Sequence, residues 1–237
     1  MTSHPLPSLR SRLLQRVQAS HAHESQFLTV RRDLGAWSQV GLAARFKPLA
    51  RTRLARSLLM EMGPNGSWPC DPEFTQAECV VLSGQTIAAS QVLACGEAAC
   101  MPHDAAHTLH AGEAGARLYL RLSSPEAPAA QLTHFSTLDD REGWDDFCPG
   151  VRIRALWHGG ERSSMLVRMR AGASVNAHGH PLEEECMMLA GEAFVGDTLL
   201  RCSDYQLAPM GSRHGAVMTD VGALFYVHGS LDPAAYL

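Results

Sequence analysis

Three histidines and one glutamate have the types and spacing from which a reactive centre can be built. His178, His180 and Glu184 lie in Gly172-Ala-Ser-Val-Asn-Ala-His178-Gly-His180-Pro-Leu-Glu-Glu184, and His214 closes Pro209-Met-Gly-Ser-Arg-His214. Side chains alternate faces along an extended chain, so the even-numbered His178, His180 and Glu184 can converge on one side. His214 brings a third imidazole from a later strand, behind a Pro-x-Gly turn. The resulting set of three nitrogens and one oxygen suits a first-row divalent metal. Glu183 and Glu185 have the opposite parity and reach that face only through a bulge. Zinc held by all four groups would be tetrahedrally filled, a structural or sensing arrangement. Fe(II), Mn(II) or Ni(II) would expand to five or six ligands and keep room for water, substrate or O2.

The elements that must position these groups are mostly strands. From about Phe27 onward the chain breaks into short β-prone runs such as Ser57-Leu-Leu-Met-Glu-Met62 and Ser164-Met-Leu-Val-Arg-Met169, punctuated by Gly and Pro. Ahead of them, Leu9, Leu13 and Val17 recur at helical spacing within Pro7–Ala19, with Ser8 as the N-cap. This predicts one short amphipathic helix docked on its apolar side, with Arg10, Arg12 and Arg16 on the solvated face. Ser136–Glu142 predicts a capped turn or a further short helix. His21 and His23 follow the first helix in a flexible segment, which is not the setting of a metal site.

A shift of 107 residues aligns two copies of the strand-rich text without a gap. Trp37 meets Trp144, Arg45 meets Arg152, Leu49 meets Leu156, Leu59 meets Leu166, Met62 meets Met169 and Ser67 meets Ser174. The register continues through Cys79 and Cys186, Leu82 and Leu189, Gly84 and Gly191, Cys95 and Cys202, Pro102 and Pro209, to Tyr119 and Tyr226. Tandem β-domains joined near Ser123-Ser-Pro-Glu-Ala-Pro128 follow. In the first copy Asp71, Glu73 and Ala77 stand where His178, His180 and Glu184 stand in the second, and only His107 matches, opposite His214. The first site is therefore read as degenerate. Asp71, Glu73 and His107 could still hold a hard metal weakly, although solvated carboxylates are the plainer reading. His103 and His110 read as surface or turn residues.

Composition narrows the function classes. The 237 residues are 46% hydrophobic, with a formal net charge of −4, which gives no attraction to nucleic acid or an anionic membrane. No stretch approaches a membrane span, and no continuous apolar signal core opens the chain. Seven cysteines without a C-x-x-C pair suit a reduced, cytoplasmic compartment.

Gly172-x5-His178-x-His180-x3-Glu184-x6-Gly191 resembles the first cupin motif, and Pro209-x-Gly211-x2-His214 resembles the second. Ser203 replaces the glycine that usually opens the second motif, and Met218 the asparagine that usually follows its histidine; neither change removes a ligand. The text from Val151 to Gly229 is most similar to the cupin domain of ChrR-type anti-sigma factors, and through the repeat the likeness extends more weakly over Trp37–Leu120. The resemblance implies an all-β chain of two tandem cupin double-stranded β-helix (jelly-roll) barrels behind a short N-terminal helix: residues 1–26 helix and linker, 27–125 a degenerate barrel, 126–237 a metal barrel. Met188, Phe194, Tyr205, Leu207, Val217, Phe225 and Val227 are candidates to line or fill the second barrel, and Cys186 shares the parity of Glu184. The foremost reading is a zinc-binding, ChrR-like regulatory or stress-responsive protein with a sigma factor as partner. The His-x3-Cys-x2-Cys anti-sigma module of that family is absent. The alternatives are a metal-dependent dioxygenase cleaving a small diketone or aromatic ketone, and a non-catalytic metal or small-ligand binder. A homodimer is expected through exposed sheet edges.

Overall fold

The computed structural model describes residues 8–71, 73–88, 90–102, 108–127 and 143–230, with the backbone of 133–136. The predicted helix is present as Leu9–Glu24, where the Ser8 hydroxyl accepts from the Ser11 amide at 3.2 Å. It runs on through His21 and His23, which carry no breaker, and stops where the Ser25 amide returns to His21. Its apolar stripe is not docked: Leu9 and Val17 are each 65% exposed and no side chain of the helix is buried. Ser136–Glu142 reaches beyond the described residues, as do His103 and His107. No described helix is long and apolar enough to cross a membrane.

Among the described residues two large antiparallel sheets follow, each curled into a jelly roll, with a further two-stranded sheet of His178–Gly179 and Arg213–His214. Across the first the order is Thr133–Ser136, Glu97–Pro102, Gln76–Ala88, Thr108–Ser123, Ala55–Met62, Ala44–Arg51, Ser38–Val40. Across the second it is Leu28–Val30, Tyr205–Ala208, Glu184–Val195, Ala223–Gly229, Arg162–Met169, Val151–Gly159, Asp145–Cys148. The repeat is visible in irregularities as well as strands. Bulges at Pro48/Ala50 and Val81/Ser83 recur at Ala155/Trp157 and Met188/Ala190. Gly84 and Gly191 both adopt φ +71°, and a Cβ on either would fall about 2 Å from the carbonyl of Gly115 or Gly222. A side chain is excluded there in both copies.

The leading strands are exchanged. Leu28–Val30 pairs with Tyr205–Ala208 of the second sheet, while Thr133–Ser136 pairs with Glu97–Pro102 of the first. Strand pairing thus crosses the division expected after residue 125 in both directions, each leading strand covering the open edge of the other sheet. Lys47 of the first sheet, only 1% exposed, secures one exchange by donating from Nζ to the carbonyls of Arg31 (2.5 Å) and Arg32 (3.1 Å).

Three apolar cores result. Leu58, Met60, Trp68, Phe74, Met101 and Leu118 fill the first barrel, and Val151, Met188, Val195, Leu200 and Phe225 pack inside the second. The third joins the barrels through outward-facing residues, among them the repeat-related pairs Leu49 and Leu156, Leu59 and Leu166, Val80 and Met187, Tyr119 and Tyr226. Three expected barrel-lining residues are corrected by this arrangement. Tyr205 and Leu207 face the other barrel, leaving Gln206 and Ala208 to point inward. Phe194 is 41% exposed because the bulge at Met188/Ala190 reverses the alternation, so Ala193 and Val195 turn inward instead. Met188, Val217, Phe225 and Val227 do belong to the inner cluster.

Candidate metal centre

His178 opens the two-residue strand His178–Gly179, whose partner is Arg213–His214, and the register sets His178 directly opposite His214. His180 follows at once, its amide bonded to the Ser212 carbonyl at 2.9 Å. Glu184 begins the long strand Glu184–Val195. Four separate sequence positions thus meet: one ligand atom from each of His178, His180, Glu184 and His214 lies within 4.8 Å of the other three. Bonds of about 2.1 Å to a common ion require donors roughly 3–4 Å apart, so a small contraction closes the set.

The hydrogen bonds select the tautomer each imidazole needs. His178 Nδ1 lies 2.8 Å from the Asn176 carbonyl and His214 Nδ1 lies 2.7 Å from the Gly215 carbonyl, so both nitrogens must carry the proton and donate. His180 Nδ1 lies 3.0 Å from Ser212 Oγ, whose own proton goes to the Pro209 carbonyl at 2.6 Å. The serine can therefore only accept. In the neutral ring this tautomer leaves Nε2 as the lone-pair nitrogen, the arrangement of metal-ligating histidines. Burial, reinforced by the neighbouring imidazoles, holds His214 down at about 3 and keeps it neutral. Burial pushes Glu184 up to about 8, so a counter-charge is needed to make it a carboxylate at neutral pH. His180 Nε2 stands 3.7 Å from Glu184 Oε1. These residues fit a divalent cation.

His178, Glu184 and His214 open into a small cavity of about 90 Å³, measured as the space open to the centres of water-sized molecules. Phe147, Ile153, Met165, Val175, Phe225 and Val227 supply most of its wall, with Cys186, Gln206 and Ser230 as polarisable or polar points. No lysine or arginine lines it among the described residues. Burial pushes the Cys186 thiol up, with the nearby Glu184 adding to the effect, so it sits there as a neutral thiol. Phe27, which sequence patterning left unassigned, covers the opposite flank, its ring centroid 6.4 Å from His180 and 6.3 Å from His214. His23 packs edge-on to Phe27 at 5.5 Å, which brings the end of the helix to the site.

The neighbouring carboxylates go elsewhere, as parity predicts. Glu183 lies 3.7 Å from Arg162, and Glu185 is 1% exposed on the far side of its strand. In the first barrel Asp71 Oδ1 accepts from the Glu73 amide at 3.0 Å in a local turn, and Glu73 is exposed. Trp68 and Phe74 belong to the core of that barrel, and among the described residues the group around His178 is the one cluster suited to a metal. His110 is exposed on its strand. Ser212 and Gly229 also escaped the sequence reading. A Cβ on Gly229 would come within 3.0 Å of Glu184 Cγ, so the glycine leaves the carboxylate its place.

Residues 133–232 match the ChrR cupin-like domain family. That span contains all four clustered residues. No curated protein matches the chain. Among solved structures, it is similar to a Nostoc punctiforme protein provisionally assigned as a dioxygenase, at 16% identity and TM-score 0.68, covering 88% of this chain and 84% of that one. It is also similar to a cupin 2 conserved barrel domain protein from Leptotrichia buccalis, at 10% identity and TM-score 0.61, with 86% and 96% covered. A third is the oxalate decarboxylase of Lactobacillus farciminis in complex with formate, at 11% identity and TM-score 0.60, with 86% of each chain covered. These likenesses establish the cupin jelly roll as the fold.

Proposed function

We propose that His178, His180, Glu184 and His214 bind one divalent metal, and that the second barrel uses it to bind and transform a small, largely apolar molecule. Dioxygenase chemistry on a diketone or aromatic ketone is the reaction class it fits. The observation that carries this reading is the apolar cavity into which three of the four ligands open; a purely structural ion needs no such space. Fe(II), Mn(II) or Ni(II) would supply a Lewis-acid centre with coordination positions beyond the four side chains. The chain itself lines the space with Phe147, Met165 and Phe225, and offers Gln206 and Ser230 to the ligand's polar atoms.

Charge separates this site from a dicarboxylate enzyme. A dication with one carboxylate and three neutral imidazoles carries a single net positive charge, and the cavity adds no cation. A neutral or monoanionic ligand is matched; a dianion leaves one charge buried and unpaired. The second reading is a regulatory zinc cupin of the ChrR kind with a sigma factor as partner. The family match of residues 133–232 and the exposed apolar stripe of the N-terminal helix favour it.

Metal analysis of purified protein beside His178→Ala and His214→Ala tests the site, with one metal per chain expected in the parent and little in either variant. Oxygen uptake by the iron-loaded protein on a panel of diketones and aromatic ketones supports the enzyme. Tight zinc, no turnover and a co-purifying sigma factor support the regulator. Stoichiometric metal retained in both variants overturns the site.

A further inference from the structure

Between the barrels lies a charged cluster that the metal reading does not use. Arg121 of the first barrel, 2% exposed, donates from Nε to Glu185 Oε1 (2.8 Å) and pairs through its terminal nitrogen with Glu78 Oε1 (3.3 Å). Glu185 Oε2 accepts from Tyr205 (2.8 Å), from Tyr119 (3.4 Å) and from Ser57. Glu78 Oε2 accepts from Tyr226 at 2.7 Å, and His228 Nδ1 lies 3.5 Å from Glu78 Oε1 and 2.7 Å from Ser164 Oγ. The repeat relates Ser57 to Ser164, Glu78 to Glu185 and Tyr119 to Tyr226. It breaks at two places: Tyr205 has Ala98 as its counterpart, and Arg121 stands opposite His228, so the first barrel alone contributes the fixed cation.

That cation grips the residue next to a candidate ligand. Glu184 and Glu185 are consecutive on one strand, and alternation sends Glu184 to the metal cluster and Glu185 to the interface. The imidazoles are anchored individually through Nδ1, whereas Glu184 is placed by its strand. With Arg121 lost, Glu185 loses its one bond to a guanidinium, and its strand loses that tie to the first barrel. A shift of about half an ångström is enough to spoil a preorganised donor set.

We propose that Arg121 is a positioning residue for the metal centre. The barrel that lost its own ligands sets the register of Glu184 in the other by clamping Glu185. This rests on the metal reading above. The degenerate barrel then contributes to the site without touching it.

Cobalt(II), titrated into the full chain and read by its visible spectrum and by chelator competition, tests the proposal. Arg121→Met is expected to weaken cobalt binding about 10–100-fold and to shift the spectrum. Arg121→Lys, which keeps the charge but not the fork, should fall between it and the parent. Tyr205→Phe, which removes one donor to Glu185, should move the spectrum the same way by less, and these two variants carry the test if Arg121→Met fails to fold. Glu78→Gln, in the same cluster but without a bond to Glu185, should lower the melting temperature and move the cobalt spectrum less than Arg121→Lys. Parent-like spectra and affinities in Arg121→Lys and Tyr205→Phe overturn the proposal, as does an equal spectral shift in Glu78→Gln. Parent protein that takes up no cobalt overturns the metal reading itself.

Discussion

Each imidazole of the cluster presents Nε2 because its Nδ1 proton is already committed, to the carbonyls of Asn176 and Gly215 or to Ser212 Oγ. Two of these acceptors are backbone and cannot be removed by substitution. Ser212 can. It is buried, and its hydroxyl fixes His180 only because the Pro209 carbonyl takes the hydroxyl proton. Ser212→Ala should leave the fold intact and weaken metal binding by about 10–100-fold, the usual cost of losing an outer-shell partner, as measured by chelator competition. An unchanged dissociation constant would show that the strand pairing of His178 with His214 orients the rings unaided.

At the level of elements, the exchange of leading strands ties the N-terminal segment to the metal barrel. Leu28–Val30 covers the edge of Tyr205–Ala208, Arg32 donates its amide to Asp204 Oδ1 at 2.8 Å, and Phe27 lies against two of the candidate ligands. Lys47 holds this strap from the opposite barrel, and burial lowers the pKa of its ammonium. Lys47→Met fits the apolar stem but removes the donor to the Arg32 carbonyl, while the Arg31 carbonyl keeps the Leu34 amide at 3.1 Å. Denaturant titration should show a loss of about 1–3 kcal/mol, the cost of one carbonyl left without its partner. The strap should also become sensitive to limited proteolysis near Arg31 and Arg32; a resistant variant would place the holding contacts in the strand pairing instead.

Across the whole molecule, the joint between the barrels combines buried apolar contacts with a buried charged cluster. Burial alone would raise the Glu78 carboxyl, but the hydrogen bond of His228 and the guanidinium of Arg121 outweigh it and bring it down to about 2 from an ordinary 4.5, while burial and Arg121 lower His228 and favour its neutral ring. Glu185 is lowered in the same way, burial being outweighed chiefly by Arg121. A carboxyl depressed in the folded state contributes stability above its unfolded pKa and loses it as pH falls toward the folded value. The joint should therefore hold at pH 5 and loosen progressively between about pH 4.5 and 2. Trp144 and Trp157 lie at or beside it, so their fluorescence reports the change. A pH-independent signal over that window would mean that the apolar contacts alone carry the joint.

The repeat, the all-β character and the convergence of His178, His180, Glu184 and His214 were determined by the sequence, because each follows from local rules: a fixed offset, alternation along a strand, a Pro-x-Gly turn before a histidine. Parity even separated Glu184 from Glu185 correctly. It failed at Phe194, because one bulge reverses alternation and a bulge leaves no mark in residue type. It failed again at Tyr205 and Leu207, because an apolar residue reads alike whether it faces its own barrel or another. The partner of Arg121 and the destination of Leu28–Val30 belong to tertiary structure alone. Both depend on which surfaces meet across long stretches of chain, and burial of the interface charges decides that only once the two barrels are docked.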